Sequence, residues 1–341
     1  MKIAITGGAG FIGTALIRRL KAQGHECAWL DVVRSTVFPE EGAVVDVTDK
    51  EAMIAALKGF DVIYHLAAEH RDDVSPIQKY YDVNVGGAEN VVAAAEQNGI
   101  KTIVFSSSVA VYGLDAGESK EDSTPAPFND YGRSKLESEK VFDAWVKADN
   151  ARRLVTIRLV ATFGPGNRGN VYTLMDSIAR GRFMMIGNGE NRKSVAYVEN
   201  VAAFFAQCLE EGKGRSLYNY ADKPDLSMKE MVADIRAGLG QRDGGIVIPY
   251  FAGVAGGAAL DVLAKITGKT FPISLIRVKK FCANTVVNAD KVRHTGFKAP
   301  FTLKQGLQEM IASDFSDTPG GAQRSSPGRG RDEEGPGRKA A

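Results

Sequence analysis

The first thirteen residues constrain the fold more than any other part of this 341-residue chain. Residues 2–6 (KIAIT) read as a short buried strand. The string Thr6-Gly7-Gly8-Ala9-Gly10-Phe11-Ile12-Gly13 follows, and a helical pattern through Phe11, Ile12, Ala15, Leu16 and Leu20 runs on to Gly24. Glycines suit such a turn for three reasons: it is tight, its backbone comes close to a diphosphate, and its last glycine lets helix and strand pack closely. The helix N-terminus then offers free N–H groups to phosphate oxygens. The expectation is a dinucleotide held by Gly7, Gly10, Phe11, Ile12 and Gly13. The competing reading is a glycine-rich turn without a ligand.

Further strands are expected over 27–31, 61–66, 102–106 and 154–159, with helices over 50–57, 77–97 and 131–147. Strands alternating with helices predict an α/β fold: a Rossmann-type doubly wound parallel sheet that binds ligands at the carboxyl ends of its strands. The alternation loosens after about residue 165, and 170–193 and 213–300 mix short helices, short strands and loops. The expected division is a dinucleotide-binding domain over 1–165, its sheet completed by later segments, and a smaller α/β substrate lobe over 166–315 interleaved with it. Residues 316–341 are rich in Gly, Pro, Ser and charge and are expected to be disordered. The formal charge of +2 is too small and too dispersed to argue for nucleic acid. Cys27, Cys208 and Cys282 have no paired spacing, which predicts reduced thiols and a cytoplasmic protein. No leader pattern and no run of eighteen apolar residues is read in the chain, so no spanning helix is expected.

Two further sets of residues carry chemistry. Asp31 ends the second strand, eighteen residues after Gly13, where a carboxylate accepts hydrogen bonds from ribose hydroxyls and repels a 2′-phosphate. That favours NAD over NADP, although Arg34 lies three residues on. Asp46 and Val47 end another short strand, at the expected place of the adenine. Tyr131 and Lys135 are four apart and share one helix face. An ammonium there favours the phenolate, which makes the tyrosine a general base or acid toward a carbinol. Residues 105–113, FSSSVAVYG, close a predicted strand and place a hydroxyl beside that tyrosine.

The TGGAGFIG turn, His65-Leu66-Ala67-Ala68, SSSVAVYG and YGRSK together resemble the extended short-chain dehydrogenases/reductases, in their NAD-dependent epimerase/dehydratase branch. The resemblance covers roughly residues 1–310. It implies Ser108, Tyr131 and Lys135 as the catalytic set, with Tyr131 and Lys135 also touching the cofactor. It implies that Leu66, Ala67 and Ala68 line the cofactor and that Asn84 braces its site. Asn170 and Arg192 would lie on the substrate side, Arg192 at a diphosphate. Arg158 matches an arginine usually followed by proline; Leu159 follows here, which leaves the role of that strand end open. Dehydratases of the family carry acids just after the catalytic hydroxyl, whereas Val109 and Ala110 stand here. Its reductases usually prefer NADPH, which Asp31 disfavours. Epimerisation at C4 through a 4-keto sugar remains, with NAD held as a tight cofactor.

Longer strings narrow the resemblance, among them LAAEHRDDVSP, YYDVNV, RGNVY and KITGK with RVKKFC. They are similar to the bacterial subgroup of N-acetylglucosaminyl-diphospho-undecaprenol 4-epimerases of O-antigen assembly, which implies GlcNAc and GalNAc on a lipid diphosphate as substrates and a homodimer. A UDP-glucose or UDP-GlcNAc 4-epimerase, an NAD-dependent sterol-type dehydrogenase and a non-catalytic NAD-binding regulator are the alternatives. His70 and Arg71, on the loop after the third strand, are expected on the substrate side, with a solvated charged loop as the competing reading. The cluster over 69–73 makes a poor metal site. Residues 249–264 are nearly uncharged and precede Lys265, Lys269, Arg277, Lys279 and Lys280. That pattern predicts either peripheral contact with an anionic membrane surface or a core helix with a basic outer face.

Overall fold

The structure is a computed structural model, and it describes residues 1–71, 74–113, 117–267 and 274–316. Most of the tail expected to be disordered, and Lys269, lie outside the described residues. The central sheet has seven parallel strands: β1 (Lys2–Thr6), β2 (Glu26–Asp31), β3 (Gly42–Val44), β4 (Val62–His65), β5 (Thr102–Ser108), β6 (Arg153–Leu159) and β7 (Gly214–Tyr220). Their order is β7-β6-β5-β4-β1-β2-β3. The chain leaves β1 toward β2 and then crosses back to β4, so the strand order reverses between β1 and β4. A crevice opens at the carboxyl ends of strands at such a reversal.

The apolar alternation of the strands sorts the two faces. Ile3 and Ile5 point to one side, where α1 (Phe11–Ala22) packs through Leu16, Ile17 and Leu20. Ala4 points to the other, with Ile63, Ile103 and Phe105 against α2 (Lys50–Ala56), α3 (Gly87–Gln97) and α4 (Asp130–Lys147). Burial on both faces explains why these strands read as continuous apolar runs.

Two local differences from the sequence reading bear on function. The helix expected over 77–97 is broken: Gln78–Tyr80 gives way to a π-turn at Tyr81–Gly86 before α3 begins. That turn places Asn84 inward, 1% exposed. The strand expected to stop at 106 continues to Ser108, because Ser106, Ser107 and Ser108 pair with Ile157, Arg158 and Leu159 of β6. The chain also returns to the large sheet after the lobe has begun. The helix α6 (Val198–Gln207) packs on α1, and β7 extends the sheet beside β6.

The lobe over the crevice contains α5 (Asn170–Ala179), α7 (Met228–Gly238), α8 (Tyr250–Thr267), α9 (Leu275–Cys282) and α10 (Leu303–Asp314). Small two-stranded pairings knit it together, including Arg192–Lys193 with Leu226–Ser227 and Met185–Ile186 with Val247–Ile248.

Candidate active site

A cleft of ≈ 1180 Å³ lies at the strand-order reversal. Gly7, Gly10, Phe11, Ile12 and Gly13 form one end of its wall, with Asp31, Asp46, Val47, Leu66, Ala67 and Ala68 beside them. Ser108, Tyr131 and Lys135 sit further along, and His70, Arg71 and Asn170 also border it. The cleft thus brings together nearly all the residues singled out from the sequence.

The glycine end fits a dinucleotide on two observations. Gly7 has φ +70°, and a Cβ on it would stand 2.7 Å from the Ala67 nitrogen. A Cβ on Gly13 would stand 2.5 Å from the Gly7 carbonyl oxygen, so only glycine lets α1 start this close to β1. The N-terminus of α1 has no side-chain cap and no acid in its first turn, which leaves its amides and dipole for an anion. Asp31 accepts hydrogen bonds from the Ala9 amide (3.1 Å) and the Val33 amide (3.4 Å) and borders the cleft. Arg34 does not border it: its side chain donates to the Pro39 carbonyl and pairs with Glu40. The Asp46 carboxylate caps its own turn by accepting from the Thr48 amide (2.9 Å) and hydroxyl (2.8 Å).

Removing the charge while keeping the Asp31 acceptor isolates its part in nucleotide choice. Asp31→Asn is expected to weaken NAD binding roughly tenfold, the worth of about one charge-assisted hydrogen bond, and to narrow the preference over NADP. Calorimetric titration of nucleotide-free protein reads both. An unchanged ratio would place the ribose away from Asp31.

The catalytic end is built by α4. Asn129 caps it by accepting from the Gly132 amide (2.9 Å). A Cβ at Gly132 would stand 2.5 Å from the Ala110 carbonyl, so the helix start lies against the turn that follows Ser108. Close approach there puts Tyr131 and Ser108 on the same wall. Tyr131 packs its ring on Tyr80 with centroids 6.3 Å apart. Ser108 accepts from the Ala110 amide at 3.2 Å. Its neighbour Ser107 turns its hydroxyl away and donates to Glu139 at 2.5 Å. Lys135 is 2% exposed and stands over the Phe105 ring at 4.6 Å. Burial pulls its pKa down to about 7, and the Glu139 carboxylate one turn on opposes the fall.

Beneath Lys135 lies a buried polar network that the sequence reading did not identify. Arg158 donates from Nε and Nη2 to the two oxygens of Glu139 at 2.9 and 2.7 Å, and from Nη1 to the Tyr112 hydroxyl at 2.7 Å. Tyr112 donates to Asn219 of β7 at 2.7 Å. Its signal was present in part, since Tyr131, Lys135 and Glu139 repeat at four residues along one helix face. His65 at the end of β4 is also buried. Its Nδ1 pairs with the Thr6 hydroxyl at 2.8 Å, and burial, aided by Lys135, lowers its pKa to about 3. It is therefore neutral at physiological pH.

Asn84 and Arg192 lie outside the cleft wall. Asn84 donates to the Ser134 hydroxyl (2.9 Å) and the Glu69 carbonyl (3.1 Å) and accepts from the Glu69 amide (2.8 Å), which ties the 69–71 loop to α4. Arg192 has its backbone drawn into the pairing with Leu226–Ser227, and its guanidinium donates to the Asp225 carbonyl at 2.7 Å. On the substrate side the cleft has instead Arg168, which lies over the Tyr172 ring at 4.1 Å, together with Ser119, Phe128, Ser194 and Thr285. Arg71 borders the cleft while its guanidinium is shared with Glu69 at 3.1 Å. The hydrogen bond from Arg71, with help from Lys79, holds the Glu69 carboxyl down to about 2.

Residues 3–221 match the family described as the NAD dependent epimerase/dehydratase family. The chain is 47% identical over 315 residues to the N-acetyl-alpha-D-glucosaminyl-diphospho-ditrans,octacis-undecaprenol 4-epimerase of Escherichia coli O157:H7, covering 92% of this chain and 95% of that one. It is 29% identical over 320 residues to a UDP-glucose 4-epimerase of Vibrio cholerae, covering 90% and 93%. The fold is shared with the Thermus thermophilus UDP-glucose 4-epimerase in complex with NAD, at a TM-score of 0.72 and 21% identity over 92% of this chain and 98% of that one. By sequence match and by fold, the chain belongs to the NAD dependent epimerase/dehydratase family.

Proposed function

We infer that the protein is an NAD-dependent sugar 4-epimerase that interconverts GlcNAc and GalNAc carried on a diphosphate, with undecaprenyl diphosphate as the preferred carrier. The observation that carries this reading is the 47% identity, over nearly the full length of both chains, to the Escherichia coli O157:H7 enzyme named for that reaction. Bound NAD supplies a reversible acceptor for the hydride on C4 of the sugar. Tyr131 takes the proton of the 4-hydroxyl as that hydride leaves, and the product is a 4-keto sugar. Lys135 favours the phenolate of Tyr131 through its charge, and Ser108 is placed to hydrogen-bond the 4-oxygen of the sugar beside that tyrosine. Once the keto sugar has turned over, Tyr131 would return the proton to the C4 oxygen as the carbinol re-forms with the opposite configuration. No net oxidation results.

The acids of the cleft agree with epimerisation rather than dehydration. Among the described lining residues they are Asp31 and Asp46 at the nucleotide end and Glu69 in its ion pairs. None follows Ser108, where Val109 and Ala110 stand. Arg168 and Arg71 are the cationic side chains proposed to face the substrate diphosphate. The proposal extends to a cytoplasmic protein that meets its lipid-linked sugar at the membrane face, and to a homodimer.

The test offers UDP-GlcNAc and undecaprenyl-diphospho-GlcNAc in detergent to the purified protein and assays for the GalNAc epimer. Conversion of the lipid-linked sugar without accumulation of NADH at 340 nm is expected. Conversion of the UDP-sugar alone would overturn the lipid-linked assignment, and net NADH would overturn epimerisation.

A further inference from the structure

The helix α8 is packed inside out for a core helix. Two of its three glycines face the protein: a Cβ on Gly253 would stand 2.5 Å from the Ile186 side chain, and one on Gly257 would stand 2.9 Å from the Leu275 amide nitrogen, whereas Gly256 faces open space. Gly257 is the buried residue of the helix, and only 11% of the helix is buried. Its large apolar side chains face outward. Phe251, Ala255, Ala259, Val262 and Ile266 repeat at four, four, three and four residues, which makes one stripe along one face. All five are exposed, Phe251 and Ile266 at 76% each. Ile246 and Val247, just before the helix in the chain, are likewise exposed, at 64% and 62%. A stripe of this kind on a folded chain marks a surface meant to be covered.

The charges around the stripe say what covers it. Lys265 on α8, Arg277 and Lys279 on α9, which packs against α8, and Arg242 before the stripe in the chain are all exposed. Beside Ile246 and Met184, Arg182, Arg236 and Arg242 line a hollow of ≈ 550 Å³. The acids nearby are Asp243, which lines the same hollow, and Asp261, whose carboxylate accepts from the Leu275 amide at 3.0 Å. The surroundings are cationic, which complements anionic lipid headgroups and disfavours a second copy of the same cationic face. By length and composition alone α8 is long and apolar enough to cross a bilayer. Doing so would strip α9 from it and expose the Asp261 cap, whereas lying in the interface keeps both.

We propose that α8 and α9 form an in-plane anchor, with the Phe251–Ile266 stripe sunk into the headgroup region of an anionic membrane and the flanking lysines and arginines on its phosphates. The anchor reaches the active site through α9. Lys280 stands over Phe128, a cleft residue, at 5.1 Å, and Asn284 and Thr285 just beyond α9 line the same cleft. A docked protein therefore holds its cleft at the bilayer surface, where a lipid-linked diphosphate sugar is presented. The purpose of the anchor rests on the lipid-linked reading; its geometry does not.

The test is flotation of the full chain with phosphatidylcholine vesicles and with vesicles containing phosphatidylglycerol. The expected result is binding to the anionic vesicles, weakened by salt. Phe251→Glu with Ile266→Glu, and separately Lys265→Glu with Lys279→Glu, should each lower the partition coefficient by at least roughly tenfold while bound NAD and the circular dichroism spectrum stay unchanged. No wild-type binding to anionic vesicles overturns the anchor. So does a Phe251→Glu/Ile266→Glu variant that changes from dimer to monomer in sedimentation and still floats like wild type, since a second copy would then be the cover. Activity on the lipid-linked sugar in detergent needs no bilayer. Loss of flotation with that activity intact therefore bears on the anchor alone, and loss of the activity in wild type bears on the substrate reading alone.

Discussion

Tyr131→Phe is expected to lower turnover of the 4-hydroxy sugar by two to four orders of magnitude, the usual worth of one positioned acid–base group, with bound NAD retained. The substitution deletes one oxygen and keeps the ring. That ring rests on Tyr80 with centroids 6.3 Å apart, and the helix start beneath it is fixed by the Asn129 cap and by the close contact of Gly132 with Ala110. These contacts belong to the ring and the backbone, so the variant should keep the fold, read by its circular dichroism spectrum and its bound NAD. A fall in kcat with KM nearly unchanged is the expected form of the loss, because the proton moves only as the transition state is reached. A variant that keeps more than about a tenth of wild-type kcat would remove Tyr131 from the chemistry. A regulator that only binds NAD would be indifferent to the change.

What could be read from the sequence follows from how local each feature is. The glycine turn and the Tyr131–Lys135 pair lie within one strand–turn–helix or one helical turn, so spacing alone carries their geometry. The break in the helix over 77–97 was hidden because a π-turn keeps the composition of a helix and changes only the direction of Asn84. Arg192 lies off the cleft wall for the opposite reason. Its string fits a substrate-binding segment, but the side chain's direction is decided by a pairing with Leu226–Ser227 more than thirty residues away. The far wall of the cleft, around Thr285, comes from chain held beside 192–194 by the bonds from the Thr285 amide to Arg192 and from the Ser194 amide to Thr285. No local pattern announces such a wall. The apolar run at 249–264 was legible as apolar, but its orientation was not: composition does not say that Gly253 and Gly257 face inward and Phe251 outward.

Glu139→Gln should be the most damaging substitution outside the cleft, and in two separable ways. The first is stability. Glu139 and Arg158 are 2% and 3% exposed, and the variant leaves the Arg158 charge buried without its counter-ion. Breaking one side of such a pair costs about 3–5 kcal/mol, a fall in melting temperature on the order of 10 °C. The second is the protonation of Lys135. Burial already lowers that pKa to about 7 from 10.5, and the Glu139 carboxylate is what opposes the fall. Without it the lysine loses its proton at lower pH, so the alkaline limb of the kcat profile should move down. The linkage has the matching sign. Between the folded value near 7 and the unfolded 10.5 the unfolded chain binds more protons, so this group makes the nucleotide-free protein more stable as pH rises through that window. In Glu139→Gln the window should open from a lower pH. A double variant separates the two effects. Glu139→Leu with Arg158→Leu removes both charges, and replacing a buried pair by apolar groups restores most of the lost stability. The melting temperature should recover while the alkaline limb stays displaced. Recovery of both would make Glu139 a strut that holds β6 to α4 and nothing more; a displaced limb in a stable protein makes it the residue that keeps Lys135 charged beside Tyr131.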